Sequence, residues 1–549
     1  MKKHFKQNAP LALAVIGQFA IYIAAAGFGP AAYAQTTAVP AAPPSTGLPN
    51  LGDGTDMTPS AERRLGDRIA RELYRDPDYV DDAVLMEYVQ GIWLPLLVAA
   101  RLRGELPPEL DSAYAWEILL GKDRTVNAFA LPGAYLGLHL GLVGVVTSRD
   151  ELASVLAHEL SHVTQRHISR MMMRQAQQAP WLLGAMILGV LAASKSPNAG
   201  SAVLAGGQAL GAQSQLNFSR DMEREADRVG FTVSTQAGFA PQGFVSMFAK
   251  LQQASRLNDA GNFPYLRSHP LSTERMADMQ SRIELPDSST TPNPDARKNV
   301  QEPDQAMMGA RARVLSNSTV DALRTWSLEA VPALLNKSSP AQQAGTLYGA
   351  TLAAMKLRDF QEAQTLWTRL TDNVQKDAPA SRLARLLGVE LKLAQTDGAG
   401  ALRLLQGGEN PTAKASRAEL FLAAQAQLQL STAPPSDEAS TRPPASTSST
   451  LVTTTQALQT WVADHPNDAQ AWQLLSSSYA AEGRTLSSIR AQAEVNVAQL
   501  DYPAALSRFK TAQEWARKGG AGTDHFEASI VDTRTRQVES LLREQALER

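Results

Sequence analysis

Residues 158–162 read His158-Glu159-Leu160-Ser161-His162. On a helix of about 3.6 residues per turn, the two histidines lie about 40° apart around the axis, so both imidazoles can reach one metal ion. Glu159 sits beside that ion, placed to handle protons. This is the H-E-x-x-H arrangement of zinc hydrolases. A five-residue pattern also arises by chance, and the competing reading is an accidental match in a repeat adaptor without enzymatic activity.

A catalytic zinc site uses three protein ligands and leaves one position for water. The chain has no cysteine, so the third ligand must be an acid or another histidine, and thiolate or disulfide chemistry is excluded. The stretch from Ser219 to Asp227 offers Glu223 and Asp227, four residues apart and on one helix face. One of the two can bind metal while the other orients a ligand histidine. Glu225 is expected to point elsewhere. A solvated charged helix is the alternative for this stretch. His167 falls about 180° from His158 on a continuous helix, and is expected to face away from the metal as a structural residue.

The helix bearing the motif has a legible start, since Ser148 and Glu151 match an S-x-x-E capping box. Leu152, Val155, Leu156, Leu160 and Val163 supply its packing positions. Upstream, Val126–Leu131 is a short apolar stretch ended by Pro132, which suits a sheet edge; an ordinary core strand is the other reading. Trp181–Ala193 is apolar but shorter than the roughly 20 residues that span a bilayer, and core packing is expected for it.

Lys2, Lys3 and Lys6, an apolar run from Leu11 to Ala26, and Ala32-Tyr33-Ala34 together read as a cleaved signal peptide over residues 1–34. That places the mature chain in a bacterial envelope with no transmembrane span, behind a flexible Pro/Ala-rich leader at 35–50. The formal charge is −2, and losing three lysines leaves the mature chain near −5, with no basic excess to suggest nucleic acid.

Length implies more than one domain. Residues 51–285 hold every expected metal ligand. A linker is expected at 286–310, where Pro286–Pro294 is rich in Pro, Ser and Thr. Residues 311–549 are Ala/Leu/Gln-rich with helical periodicity, interrupted near 431–452 by a Pro/Ser/Thr-rich loop expected to be disordered. Trp472, Leu475, Ser476 and Tyr479 match half of a tetratricopeptide repeat, with Ser in place of Gly. Ala505, Phe509 and Ala512 match the other half, and Gly349, Leu352, Ala363 and Trp367 a looser copy. A helix-pair solenoid offers a concave groove and implies protein partners; a generic helical bundle is the alternative.

Taken together, the residues resemble the HtpX-type zinc peptidases. The shared features are His158-Glu159-x-x-His162, Glu223-x-Glu225-Ala226-Asp227-x-x-Gly230, Asn127-Ala128-Phe129-Ala130-Leu131-Pro132-Gly133, and the C-terminal repeats. Ala134 departs from the family, whose members often have a second Gly there. The resemblance implies an α+β zincin-type metallopeptidase domain, mostly helical with a small sheet, followed by an all-α tetratricopeptide-like solenoid. It implies one Zn2+ held by His158, His162 and Glu223, with Glu159 catalytic and Asp227 supporting. It makes Asn127, Ala128, Phe129 and Ala130 a substrate-pairing edge strand. His269, before Pro270, becomes a latch at the fourth zinc position, although by itself a loop histidine is usually just exposed. Arg275 is left with two roles, a substrate carbonyl or a salt bridge.

The expected function is periplasmic zinc-dependent endopeptidase action on misfolded or stalled outer-membrane proteins, with chaperone help in their assembly. The other function the resemblance allows is mainly a scaffold for that assembly, with a latent peptidase site. The outer-membrane insertion machinery is the expected partner of the repeats.

Overall fold

Thr58 accepts a hydrogen bond from Ala61 N and Pro59 occupies the first turn, so helix α1 (Pro59–Tyr74) starts with its free N–H groups already managed. It opens a computed structural model that describes residues 57–174, 220–257, 263–284, 302–407, 415–432, 445–518 and 524–547. The expected signal peptide and leader, Trp181–Ala193 and Pro286–Pro294 lie outside the described residues. All described residues fall in one compact unit, Thr55–Arg549.

The fold is mostly helical with a small sheet, as the resemblance implied. Strands β1 (Tyr79–Val80), β2 (Glu117–Gly121), β3 (Ala128–Leu131) and β4 (Tyr135–His139) lie in the order β1-β2-β4-β3. Strand β2 runs parallel to β4, and β3 pairs antiparallel with β4, with Phe129 opposite Gly137. Strand β3 is therefore at the edge of the sheet, where the apolar run ended by Pro132 was expected. The turn from β3 to β4 is Pro132-Gly133-Ala134, and both Gly133 (φ 73°) and Ala134 (φ 61°) adopt left-handed backbone. Here the departure from the family's Gly has a cost: Ala134 carries a Cβ in a conformation that suits glycine.

Helix α2 (Ala83–Leu102) is long and apolar enough to cross a membrane by composition, yet most of it is packed inside the protein. Val89, Ile92, Leu96 and Ala100 are fully buried. It lies against the helix that carries the H-E-x-x-H motif, α5 (Arg149–Thr164), every residue of which from Asp150 onward is buried. Two short helices, α3 (Pro108–Ala113) and α4 (Leu140–Val145), flank the sheet, and α6 (His167–Arg174) follows α5.

From Pro303 onward the described residues form helices without strands. Consecutive helices pack in chain order, from 340–356 on 360–374 through to 502–517 on 525–547. Four of the connections repeat one device. A single left-handed residue, Arg358, Thr396, Gly483 or Leu500, separates one helix from the cap of the next. Asp359, Asp397 and Asp501 then cap the following helices, each accepting a backbone N–H three residues on. Trp472, Leu475, Tyr479, Ala505, Phe509 and Ala512 are all buried. Ser476 and Ser488 each donate to the other's carbonyl at 2.9 Å, so the serine that replaces Gly still allows a close helix approach.

Two composition-based boundaries shift. Residues 303–310, expected in the linker, belong to the helix Pro303–Ser316, because Pro303 suits a helix start and Met307, Met308 and Ala310 bury. Of the loop expected near 431–452, residues 431–432 and 445–452 belong to the helices Arg417–Thr432 and Ala445–Asp464, and 433–444 lie outside the described residues.

The helical segment is seated on the first residues of α2. Arg311, 3% exposed, donates to both carboxylate oxygens of Asp82 (2.8 and 2.7 Å) and of Glu390 (2.8 and 2.6 Å). Asp82 also caps α2 through Leu85 N. Arg417 bridges Asp81 and Asp468, and Arg382 pairs with Glu87. One continuous hydrophobic core runs from Val84 to Ala426.

Candidate metal centre

Helix α5 starts at Ser148, whose side chain accepts from Glu151 N at 3.2 Å. Only that half of the expected capping box forms. The Glu151 carboxylate reaches one residue further back, to Thr147 N at 2.6 Å, and pairs with Lys250. The five apolar positions named from the sequence are all buried. Helix Arg220–Gln236 crosses α5 closely because position 230 is glycine: a Cβ there would meet the Ala157 backbone at 3.0 Å. This approach carries Glu223 over His158 and His162.

His158, His162, Glu223 and His269 are buried together, and one ligand atom from each lies within 4.8 Å of the others. His158 Nε2 is 3.0 Å from His162 Nε2, 3.4 Å from His269 Nδ1 and 3.5 Å from Glu223 Oε2. Glu223 Oε1 is 3.5 Å from His162 Nε2 and 3.1 Å from His269 Nδ1. Two ligand atoms each about 2.0–2.1 Å from a tetrahedral zinc stand about 3.3–3.4 Å apart. These separations bracket that spacing. Glu223 Oε2 is also buried without a well-formed hydrogen bond, although Arg275 Nη1 stands 2.8 Å away. A nitrogen and carboxylate set without cysteine suits zinc.

Asp227 lies behind the cluster, with Oδ1 2.9 Å from His158 Nδ1. This leaves His158 Nε2 to face the shared centre. Arg275 holds Asp227 through both carboxylate oxygens, at 2.6 and 2.8 Å, and donates to Pro270 O. Of the two roles the sequence left to Arg275, the geometry displays the ion pair. Burial would depress the His158 imidazole, but Asp227 and Glu223 outweigh it and push it up to about 9. Metal binding must displace that proton, so affinity falls as pH drops.

Glu159 is fully buried, and burial pushes its carboxyl above the ordinary value. Its Oε2 accepts the backbone N–H of Ala130, on the outward side of β3, at 3.0 Å. Its Oε1 is 3.4 Å from His269 Nε2. The turn bearing His269 meets the segment leading into β3, since Tyr265 N donates to Val126 O. Ala128 and Phe129 continue this edge, with the Phe129 ring over Gly137, and Asn127 O accepts from His139 N. His269 is 2% exposed, unlike the exposed loop histidine its local sequence suggested.

One side chain departs from the sequence reading. Helix α5 ends at Thr164, and Arg166 takes left-handed backbone (φ 52°), so His167 starts a new helix and the continuous-helix angle does not apply to it. Its Nδ1 is 2.8 Å from His162 Nδ1. Glu225 points away from the cluster, as expected, and its Oε2 is 3.1 Å from His167 Nε2. Neither Gln165 nor Arg166 signals a helix end by residue type. The break is secured by Glu62 of α1, whose Oε1 pairs with Arg166 Nη2 at 2.6 Å.

Comparison with known proteins fits this geometry. Residues 104–283 match the model of peptidase family M48. The chain carries an M48 peptidase domain. That domain makes it a metallopeptidase, and the matched span contains every residue of the metal cluster. A putative beta-barrel assembly-enhancing protease of Vibrio cholerae is 28% identical over 494 residues, covering 88% of this chain and 91% of that protein. The beta-barrel assembly-enhancing protease (BepA) of Escherichia coli is 30% identical over 326 residues, 58% of this chain and 61% of the relative. A mitochondrial metalloendopeptidase of Saccharomyces cerevisiae is 28% identical over 196 residues, 35% of this chain and 54% of the relative. The family match begins after α1 and α2, yet these helices supply Glu62 and Asp82 to this metallopeptidase.

Proposed function

We propose that this chain is a periplasmic zinc metalloendopeptidase that degrades misfolded or stalled outer-membrane proteins and assists their assembly. The observation that carries the peptidase chemistry is the convergence of His158, His162 and Glu223 beside Glu159, at the edge of a sheet. These three ligands would hold the ion. When bound, zinc acidifies water toward a pKa of about 7 and polarises a carbonyl. Glu159, kept from solvent and oriented by Ala130 N–H, accepts the proton of the attacking water and returns it to the leaving amine. An extended substrate pairs by strand addition with the outward edge of Ala128 and the carbonyl of Ala130, whose N–H is held by Glu159. The choice of outer-membrane β-barrels rests on the names of the relatives, and the periplasm on the N-terminal sequence. Glu159→Gln is expected to keep stoichiometric zinc and lose cleavage of an unfolded protein. Cleavage at the wild-type rate would overturn the assignment.

The position of His269 favours a second, compatible reading: the resting peptidase is latent. His269 adds a fourth protein ligand to the set, and a zinc site closed by four protein ligands keeps no position for water. His269→Ala is expected to raise basal proteolysis, and unchanged proteolysis removes the latch. In cells, full recovery of outer-membrane β-barrel levels by Glu159→Gln would favour a chaperone acting without cleavage.

The C-terminal helices form a tetratricopeptide-like arm for the insertion machinery. The buried repeat positions and the recurring left-handed turns support that reading. Removing residues 502–549 is expected to weaken co-purification with the machinery while cleavage persists. Unchanged co-purification would count against it.

A further inference from the structure

We propose that His167 and Glu225 form a positioning relay behind His162, the counterpart of Asp227 behind His158. The inference rests on the reading of His162 as a metal ligand. His167 is 0% exposed, and its Nδ1 lies 2.8 Å from His162 Nδ1. Two ring nitrogens at that distance share one proton. His162 Nε2 faces Glu223 and His158, so a metal-binding His162 carries its proton on Nδ1 and donates it to His167 Nδ1. His167 then holds its own proton on Nε2, 3.1 Å from Glu225 Oε2. Arg170 Nη1 donates to the same oxygen at 2.7 Å. A carboxylate can only accept, so the tautomers of both histidines are fixed by the chain's far end.

The relay also has a defined scaffold. Glu225 lies on the same helix as Glu223 and Asp227, two residues from each. That one helix therefore supplies a metal ligand and the terminal carboxylates behind both α5 histidines. Arg166 turns the chain so that His167 can reach back, and Arg166 is itself tied to Glu62 and to Met57 O. Such outer hydrogen bonds fix a ligand ring and raise its basicity; their loss typically weakens metal affinity about 10- to 100-fold.

The test measures the zinc dissociation constant of the full chain by chelator competition at fixed pH. It also records the thermal melt of the metal-stripped protein and the cobalt(II) absorption spectrum. Glu225→Gln and His167→Ala are expected to bind zinc about 10- to 100-fold more weakly and to shift the cobalt bands. His167→Asn, which keeps an acceptor near the Nδ1 position, should fall between them and wild type. A purely packing role for His167 would lower the melt of stripped protein and leave zinc affinity unchanged; that result overturns the relay. If His167→Ala does not fold, Glu225→Gln decides alone, because Glu225 is partly exposed. His162→Ala separates the two layers of the argument. Wild-type zinc affinity in that variant defeats the metal-site reading, whereas its loss beside wild-type affinity in Glu225→Gln defeats only the relay.

Discussion

The backbone N–H of Ala130 donates to Glu159 Oε2 at 3.0 Å. It couples the proposed base to the strand that would hold the substrate. Phe129 and Leu131 face β4 in the ladder, so the N–H of Ala130 points outward and proline there removes no ladder bond. A hydrogen bond to a charged group contributes about 1.5–3 kcal/mol. Ala130→Pro is therefore expected to lower kcat at least about tenfold with zinc content unchanged. Steady-state cleavage of an unfolded protein, with metal analysis, checks this. Full kcat in the variant would mean that the bond does not orient Glu159.

Arg311 bridges Asp82 at the start of α2 and Glu390 of the helical segment, inside the shared core. Removing one partner of a buried ion pair typically costs about 3–5 kcal/mol, because the remaining charges stay buried. Arg311→Met should destabilise the protein by that amount in urea unfolding, and adding Asp82→Asn should recover part of it. A loss below about 1 kcal/mol would show that the two segments are not held together there.

Glu117 is half-buried, and burial pushes its carboxyl from 4.5 up to about 7, with the Tyr74 hydroxyl, donating at 2.6 Å, acting in the opposite sense. The folded protein therefore keeps a proton that the unfolded chain has already released. The stability this provides is complete below about pH 4.5 and is lost as pH rises through about 7. Glu117→Gln should flatten that part of the stability profile and raise stability at pH 8 by no more than about 3 kcal/mol. An unchanged slope between pH 5 and 7 (approximate bounds set by the shift) would assign the titration elsewhere.

Ala134 sits at φ 61° beside Gly133 at φ 73°. Left-handed backbone costs a non-glycine residue about 1–2 kcal/mol, partly offset by the greater freedom glycine has when unfolded. Ala134→Gly is expected to stabilise the protein by up to about 1 kcal/mol in thermal or urea unfolding. A clear destabilisation would show that the Ala134 methyl, which is buried, contributes more through packing than its backbone strain costs.

The H-E-x-x-H helix was legible from the sequence because its spacing and its cap are local properties. The i, i+4 relation places His158 and His162 on one face wherever the helix packs, and Ser148 accepts from Glu151 N as its type suggests. The same locality put Glu223 and Asp227 on one face, but it left open which of them meets the histidines. That depends on where helix 220–236 crosses α5, and the crossing is set by the small residue at Gly230.

His167 could not be placed from the sequence, because Gln165 and Arg166 are compatible with a helix. The turn between α5 and α6 is secured by Glu62, more than a hundred residues upstream in α1. Likewise His269 looks like an exposed loop residue until Tyr265 N meets Val126 O and brings it to the cluster. The sequence by itself determined that His158 and His162 share one helix face, the helix that carries them and the helical character of the C-terminal segment. Only the tertiary structure decided that His269 is buried against the cluster, what stands behind His162 and how Arg311 joins the two segments. Those contacts are made between residues distant in the chain, whose types reveal their capacity to pair but not their partners.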